Sequence, residues 1–367
     1  NFLQPFSAPI KTAMGAPYDS GDYEKALDIA LKQAGYGDLR AEQARRREAG
    51  DPVQLGIGLS VYVEITAYGG GGEFGAVELR PDGTLFVRTG SSPYGQGHYT
   101  AWTMLVSERT GVPMDRIEIF HGDTDIVPSG GTTGASRSLQ LAGSSVNDAA
   151  LRLVEAARQR AADLLEANPD DIVLQDGKFS VTGTPAKAVS WEELAKGVGE
   201  NPLEGLSEFN ASQATFPFGA HVCVVEVDTE LGVARILRHV CVDDAGTILN
   251  PLLVEGQVHG GIAQGAAQAL YEEFRYDEDG NPLTGNFLDY MVVSAGDVPF
   301  FERVPMETPT PINPLGAKGI GESGTIGATP AVQNAVVDAL SHLGIRHLDM
   351  PCAPQRIWEA MRQHGNV

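Results

Sequence analysis

Residues 316–327, Gly-Ala-Lys-Gly-Ile-Gly-Glu-Ser-Gly-Thr-Ile-Gly, set one carboxylate, Glu322, among five glycines. Glycine tolerates positive φ and lets the backbone approach a bound group that side chains would hold off. A single carboxylate in a dry, glycine-lined pocket has the chemistry of a general base. A helix is expected after the loop, with Thr329 as N-cap and Pro330 at its first position. Val332, Val336, Ala339, Leu340 and Leu343 share one face of it, and Gly344 closes it. Backbone N–H groups converging beside Glu322 favour an anion or a metal-oxo group. Residues 319–324 also fit G-x-G-x-x-G, but that dinucleotide pattern requires a preceding strand and an acid about 20 residues on. Pro309, Pro311 and Pro314 break any central strand there, because proline has no ladder donor. No Gly-Lys-Ser/Thr follows, so a P-loop fails as well.

Two further polar loops precede helices. Gly95-Gln-Gly-His98 leads into a helix through Glu108 that ends at Gly111, and the Gly/Ser/Thr loop at 130–138 opens a long amphipathic helix to about residue 167. Hydroxyls, amides and Arg137 at a helix start suit a phosphate or a polar heterocycle; the alternative is a plain surface loop. The elements around them read as strands at 56–65, 75–80, 84–88 and 116–120, with a glycine tip at 69–72 and a peripheral strand pair and short helix at 172–196. A second hairpin, 220–228 and 234–242, leads through Asp243, Asp244 and Asn250-Pro251 into a helix at 252–270. That order repeats residues 76–108, which implies an internal duplication in which Gly95-Gln-Gly-His98 and Glu255-Gly-Gln-Val-His259 are analogous. Gly256, Gly260, Gly261 and Gly265 each cost that helix about 1 kcal/mol relative to alanine, so a close neighbour or ligand is expected against it. Adjacent Asp243 and Asp244 point opposite ways on an extended chain and are turn or cap acids, not an acid–base dyad. His98, His221 and His259 have no metal-ligand spacing; His98 and His259 read as hydrogen-bond donors in a pocket and His221 as a strand residue.

The 367 residues are 42% apolar and 20% charged, enough for one large core or two medium ones. No apolar run is long enough to span a bilayer and no signal peptide opens the chain, so a cytoplasmic location is expected. A net charge of −22 argues against nucleic acid, whose phosphates demand a basic face. Cys223, Cys241 and Cys352 are too scattered for a disulfide framework, a zinc site or an iron–sulfur cluster, so a redox relay would sit on another chain. The sequence opens at Asn1, in what reads as mid-segment.

Four motifs in order carry a resemblance over nearly the whole chain. Gly95-Gln-Gly-His98, Gly131-Thr-Thr-Gly-Ala-Ser-Arg-Ser138, Cys241-Val-Asp-Asp-Ala-Gly246 with Asn250-Pro251 and Glu255-Gly-Gln-Val-His-Gly260, and Lys318-Gly-Ile-Gly-Glu-Ser323 together resemble the large subunit of xanthine oxidase family molybdenum hydroxylases, most of all the aerobic carbon monoxide dehydrogenase type. The resemblance implies a molybdenum–molybdopterin cofactor, as the cytosine dinucleotide, with no protein ligand to the metal. It implies that Gln96, Gly97, His98, Thr132, Thr133, Gly134, Ser136, Arg137, Ser138, Cys241, Asp243, Asp244 and Gln257 contact pterin, phosphates and base, and that Lys318, Gly319, Ile320 and Gly321 pass the molybdenum. Glu322 matches the family's base. The family's N-terminal half, with a further glycine-rich loop, a glutamine near the metal and, in carbon monoxide enzymes, a copper-binding cysteine, has no counterpart in this sequence. The chain therefore reads as the C-terminal half, and carbon monoxide, an aldehyde or an N-heterocycle all stay open as substrate. Implied partners are that N-terminal half, an iron–sulfur small subunit with 2Fe–2S clusters and an FAD medium subunit, in a hetero-oligomer such as a dimer of heterotrimers.

The expected fold is α+β: a helical connector at 1–52 and two related hairpin-plus-helix halves, 53–205 and 206–367, the second carrying Glu322. The leading expectation is oxidative hydroxylation. Its rivals are a scaffold or assembly subunit without turnover and a nucleotide-dependent oxidoreductase using residues 319–324.

Overall fold

A computed structural model describes residues 3–68, 71–196 and 202–365; of the glycine tip at 69–72, Gly69 and Gly70 lie outside the described residues. The chain opens with β1 (Ile10–Lys11), β2 (Pro17–Tyr18), α1 (Tyr23–Ala34) and α2 (Tyr36–Ala49). There follow β3 (Val53–Val63), β4 (Glu73–Leu79), β5 (Leu85–Thr89), α3 (His98–Thr110) and β6 (Ile117–Phe120). A π-turn at 139–143 runs into α4 (Ser144–Leu165), and β7 (Ile172–Gln175), β8 (Lys178–Val181), β9 (Thr184–Ser190), α5 (Trp191–Ala195) and β10 (Leu203–Phe209) come next. The last part holds β11 (Phe218–Asp228), β12 (Val233–Asp244), α6 (Pro251–Leu270), β13 (Glu302–Met306), α7 (Ser323–Leu340) and α8 (Pro354–Gln363).

Contacts divide the described residues into two compact units: 1–65, 216–309 and 320–367 form the first, and 66–215 with 310–319 the second. In the first, the sheet order is β13-β12-β11-β3, with β13 joining parallel to β12 after the crossover through α6. β11 is buried along nearly its whole length, because both faces are covered. Phe218, Ala220 and Val222 meet Tyr23, Ala26 and Ala30 of α1 on one face, while Cys223, Val225 and Val227 meet Ala331, Val332 and Val336 of α7 on the other. In the second unit the order is β10-β4-β5-β6, with β6 parallel to β5 after α3, and α4 lies along β4 and β10. The peripheral sheet is β7-β8-β9.

Each unit thus contains a hairpin, a crossover helix, a parallel third strand and a long helix over the sheet, the repeated order that the sequence implies. Several expectations need correcting. Residues 1–52 are no mere connector, since α1 buries Tyr23, Ala26, Ala30 and Ala34 in the first unit's core. The boundaries at 52 and 205 do not follow the units, because β3 pairs with β11 from far along the chain. The helix expected from Thr329 begins at Ser323, with Pro330 inside it. Proline costs one backbone bond there, to the Ile326 carbonyl. The helix runs on because Gly324, Gly327 and Ala328 are buried, and Thr329 Oγ1 bonds back to Thr325 O at 3.2 Å. β10 and β13 were invisible as strands: each is an edge, and β13 carries Pro305, tolerated where only one side is paired.

Candidate cofactor-binding site

In the second unit, Gly97 takes φ 83° as the N-cap of α3, and no side chain caps that helix. The N–H groups of its first turn are left for solvent or a ligand. His98 follows, buried, with Nδ1 lacking any hydrogen-bond partner and its ring 5.0 Å from that of Trp102. Burial pushes its imidazole below the ordinary range, so it is neutral near pH 7. Gln96 folds back and accepts the Tyr94 N–H at 2.5 Å.

The 130–138 loop is organised by a residue that sequence reading missed. Glu73, 1% exposed, accepts the Gly131 N–H with both oxygens (3.0 and 3.1 Å) and meets Arg137 Nη2 at 3.3 Å. Burial raises its carboxyl pKa, and Gly131 and Arg137 counter the shift. Arg137 is thus already paired with an acid, though its Nε remains buried without a partner. Thr133 donates to Ser92 O at 2.5 Å, and the Ser91 hydroxyl lies 3.2 Å from Ser138 Oγ. Thr132 is exposed and Gly134 half-buried, while Ala135 and Ser136 adopt φ 51° and 48°, a left-handed conformation costly for residues other than glycine. Gln140 holds this turn, donating to Ser136 O (3.1 Å) and Thr66 Oγ1 (3.0 Å) and accepting from Thr215 Oγ1 (2.8 Å). Nothing in the spacing of Gln140 marks it. Gly319 lies directly on Ser136: a Cβ at Gly319 would collide with the Ser136 carbonyl and stand 2.9 Å from Thr66 Cβ. The loops around Ser136 and Gly319, far apart in sequence, are therefore brought together, and Lys318 is buried beside them in the chain.

In the first unit, Glu322 is the N-cap of α7, whose start also has no side-chain cap. Glu322 is exposed and Gly321 with it, so the dry pocket expected around the carboxylate is not built by the described residues of this chain. Gln257 is half-buried on α6, and the His259 ring sits 5.7 Å from both Phe300 and Phe301, with Nε2 making no hydrogen bond and lying 3.9 Å from Glu255 Oε1. Asp243 and Asp244 are both fully buried and point apart, as an extended chain requires. Asp244 Oδ1 accepts the N–H groups of Thr308 (2.6 Å) and Gly246 (3.3 Å), a turn acid. Asp243 Oδ1 accepts from Tyr62 O–H (2.5 Å) and faces His221 Nε2 (2.9 Å). Cys241, also buried, has its thiol 3.8 Å from Glu302 O. These three, expected at the cofactor, are fully buried among the described residues. His221, Cys241 and Asp243 do bring ligand atoms within 4.8 Å of one another. Burial raises the Cys241 thiol pKa, and His221 and Asp243 are hydrogen-bonded to each other.

Among the described residues of the second unit, the uncapped N-terminus of α3, the orphaned His98 Nδ1 and the orphaned Arg137 Nε offer donors; in the first unit the uncapped N-terminus of α7 does so by itself. That chemistry fits phosphate and a polar heterocycle, and the protein is, as a class, a cofactor-binding α+β domain. The family model described as molybdopterin cofactor-binding domain matches residues 29–299, and the chain belongs to that family. It is 36% identical over 383 residues to the carbon monoxide dehydrogenase large chain of Hydrogenophaga pseudoflava, covering 100% of this chain and 48% of the relative. The crystal structure of the Cu,Mo-CO dehydrogenase superposes with a TM-score of 0.94 at 35% identity, over 100% of this chain and 49% of that one. Quinoline 2-oxidoreductase from Pseudomonas putida 86 does so with a TM-score of 0.88 at 32% identity, over 97% and 48%. The chain spans about half the length of the relatives it matches.

Proposed function

We propose that this chain is the C-terminal half of the catalytic large subunit of a cytoplasmic molybdenum hydroxylase. It oxidises a small substrate, carbon monoxide, an aldehyde or an N-heterocycle, with water as the oxygen source, and passes electrons to 2Fe–2S and FAD partner chains. The observation that carries this reading is the place of Glu322: an exposed carboxylate at the N-cap of a helix that has no side-chain capping bond. The Glu322 carboxylate receives the proton that leaves the attacking oxygen.

Gln96, Gly97, His98, the loop from Thr132 to Ser138, and Lys318 to Gly321 would hold a molybdenum–molybdopterin cytosine dinucleotide. When bound, that group supplies the two-electron redox centre. Helix-start N–H groups offset phosphate charge, and neutral His98 offers a hydrogen bond without adding charge. Electrons leave through partner chains, since this sequence has three cysteines, Cys223, Cys241 and Cys352, where a cluster takes four thiolates. Phe287, Leu288 and Phe300 stand 83%, 93% and 83% exposed in the segment after α6, which supports another polypeptide covering that segment in the assembly.

Glu322→Gln tests the assignment. In the assembled enzyme it should leave molybdenum content and folding unchanged and lower kcat by a factor on the order of a hundred to ten thousand. Undiminished turnover in a fully loaded variant would remove Glu322 from the mechanism.

A further inference from the structure

Beneath the first turn of α7, side chains from β3, β11 and β12 form a buried chain of hydrogen bonds. Ser323, the residue after Glu322, is fully buried, and its Oγ donates to Glu64 Oε2 at 2.9 Å. Tyr62 donates to Asp243 Oδ1 at 2.5 Å by reaching across Gly219, where a Cβ would stand 2.5 Å from that oxygen and 2.7 Å from the ring. Asp243 Oδ1 meets His221 Nε2 at 2.9 Å, and His221 Nδ1 meets His239 Nε2 at 3.0 Å. The His221 ring then lies against Gly327: a Cβ there would be 2.5 Å from Cε1 and 2.6 Å from both nitrogens. Buried side chains therefore grip α7 at two points, Ser323 through Glu64 and Gly327 through the His221 ring that Asp243 and Tyr62 hold, four residues apart on one helix face.

An apolar core would hold the helix at less desolvation cost, whereas the directional bonds through Tyr62, Asp243 and His221 restrict it to one geometry, with Asp243 Oδ2 and His239 Nδ1 left without partners. Glu322 is exposed, so its position follows that of the turn it caps. Resting on the reading of Glu322 as the base, we infer that Tyr62, Ser323, Asp243 and His221 are positioning residues that fix the first turn of α7 and, through it, the Glu322 carboxylate. None of them touches substrate.

The experiment uses Tyr62→Phe, which keeps the ring and removes the bond to Asp243, and Ser323→Ala as a second variant, both in the assembled enzyme. Amide hydrogen exchange over 323–326 should accelerate on the order of tenfold, while 331–340 keeps the wild-type rate. kcat should fall on the order of tenfold with KM unmoved. In a Glu322→Gln background neither substitution should lower kcat further, since the group being positioned is gone. Unchanged exchange at the first turn, or a loss in kcat that multiplies with that of Glu322→Gln, would overturn the inference. Full turnover in Glu322→Gln alone would instead overturn the base assignment, and the exchange rates would still decide whether the network anchors the helix.

Discussion

Asp243 shows what residue spacing can and cannot reveal. That it forms no dyad with Asp244 follows from the extended chain and is legible in two adjacent letters. That it accepts from Tyr62 and His221 is not, because those partners come from β3 and β11 and only the sheet register sets them beside it. Glu73 and Gln140 escaped for the same reason. Glu322, Gly97 and the 130–138 loop were legible because glycine and hydroxyl-rich helix starts are local signals. The buried cluster also sets a dependence on pH. Burial holds His239 well below the ordinary imidazole range. Burial pushes Asp243 up, but His221, Tyr62 and Arg303 more than offset it and leave its carboxyl below the usual range. Both groups bind protons less readily folded than unfolded. Their contribution is therefore complete at neutral pH and lost on acidification, through His239 below about pH 6.5 and through Asp243 below about pH 3.9. Urea midpoints measured from neutral into acid pH should fall in these two stages, and His239→Gln should flatten the upper one. An upper stage unchanged in that variant would contradict this assignment.

At the scale of elements, the glycines of α6 carry two different meanings that sequence alone merges. Gly261 and Gly265 face α7: a Cβ at Gly261 would stand 2.9 Å from Thr325 N, and one at Gly265 would stand 2.9 Å from Ala328 Cβ. Gly256 and Gly260 have nothing within 4 Å. The close neighbour expected from these glycines is α7, and only half of them serve it. Gly265→Ala should destabilise the protein by about 1–3 kcal/mol through overpacking, whereas Gly260→Ala should stabilise it by about 1 kcal/mol through helix propensity. Chemical denaturation of the two variants checks both signs; equal effects would mean the helices do not meet as described. The start of α7 was misread because Thr329 and Pro330 form a local N-terminal signal, while the burial of Gly324, Gly327 and Ala328 that overrides it is tertiary.

At the scale of the whole molecule, the repeated hairpin, crossover helix and third strand were legible because hydrophobic periodicity survives duplication. The interleaving of the two units was not, since it depends on β3 pairing with β11. The chain covers about half of its relatives' length, and Phe287, Leu288 and Phe300 are exposed in the segment after α6. The central claim, that these loops hold a molybdopterin cytosine dinucleotide, is tested most directly by metal analysis with nucleotide release on this chain purified together with its partner subunits. Stoichiometric molybdenum accompanied by a cytidine nucleotide is the predicted result; a complete assembly without molybdenum would contradict it and leave a scaffold that keeps the fold.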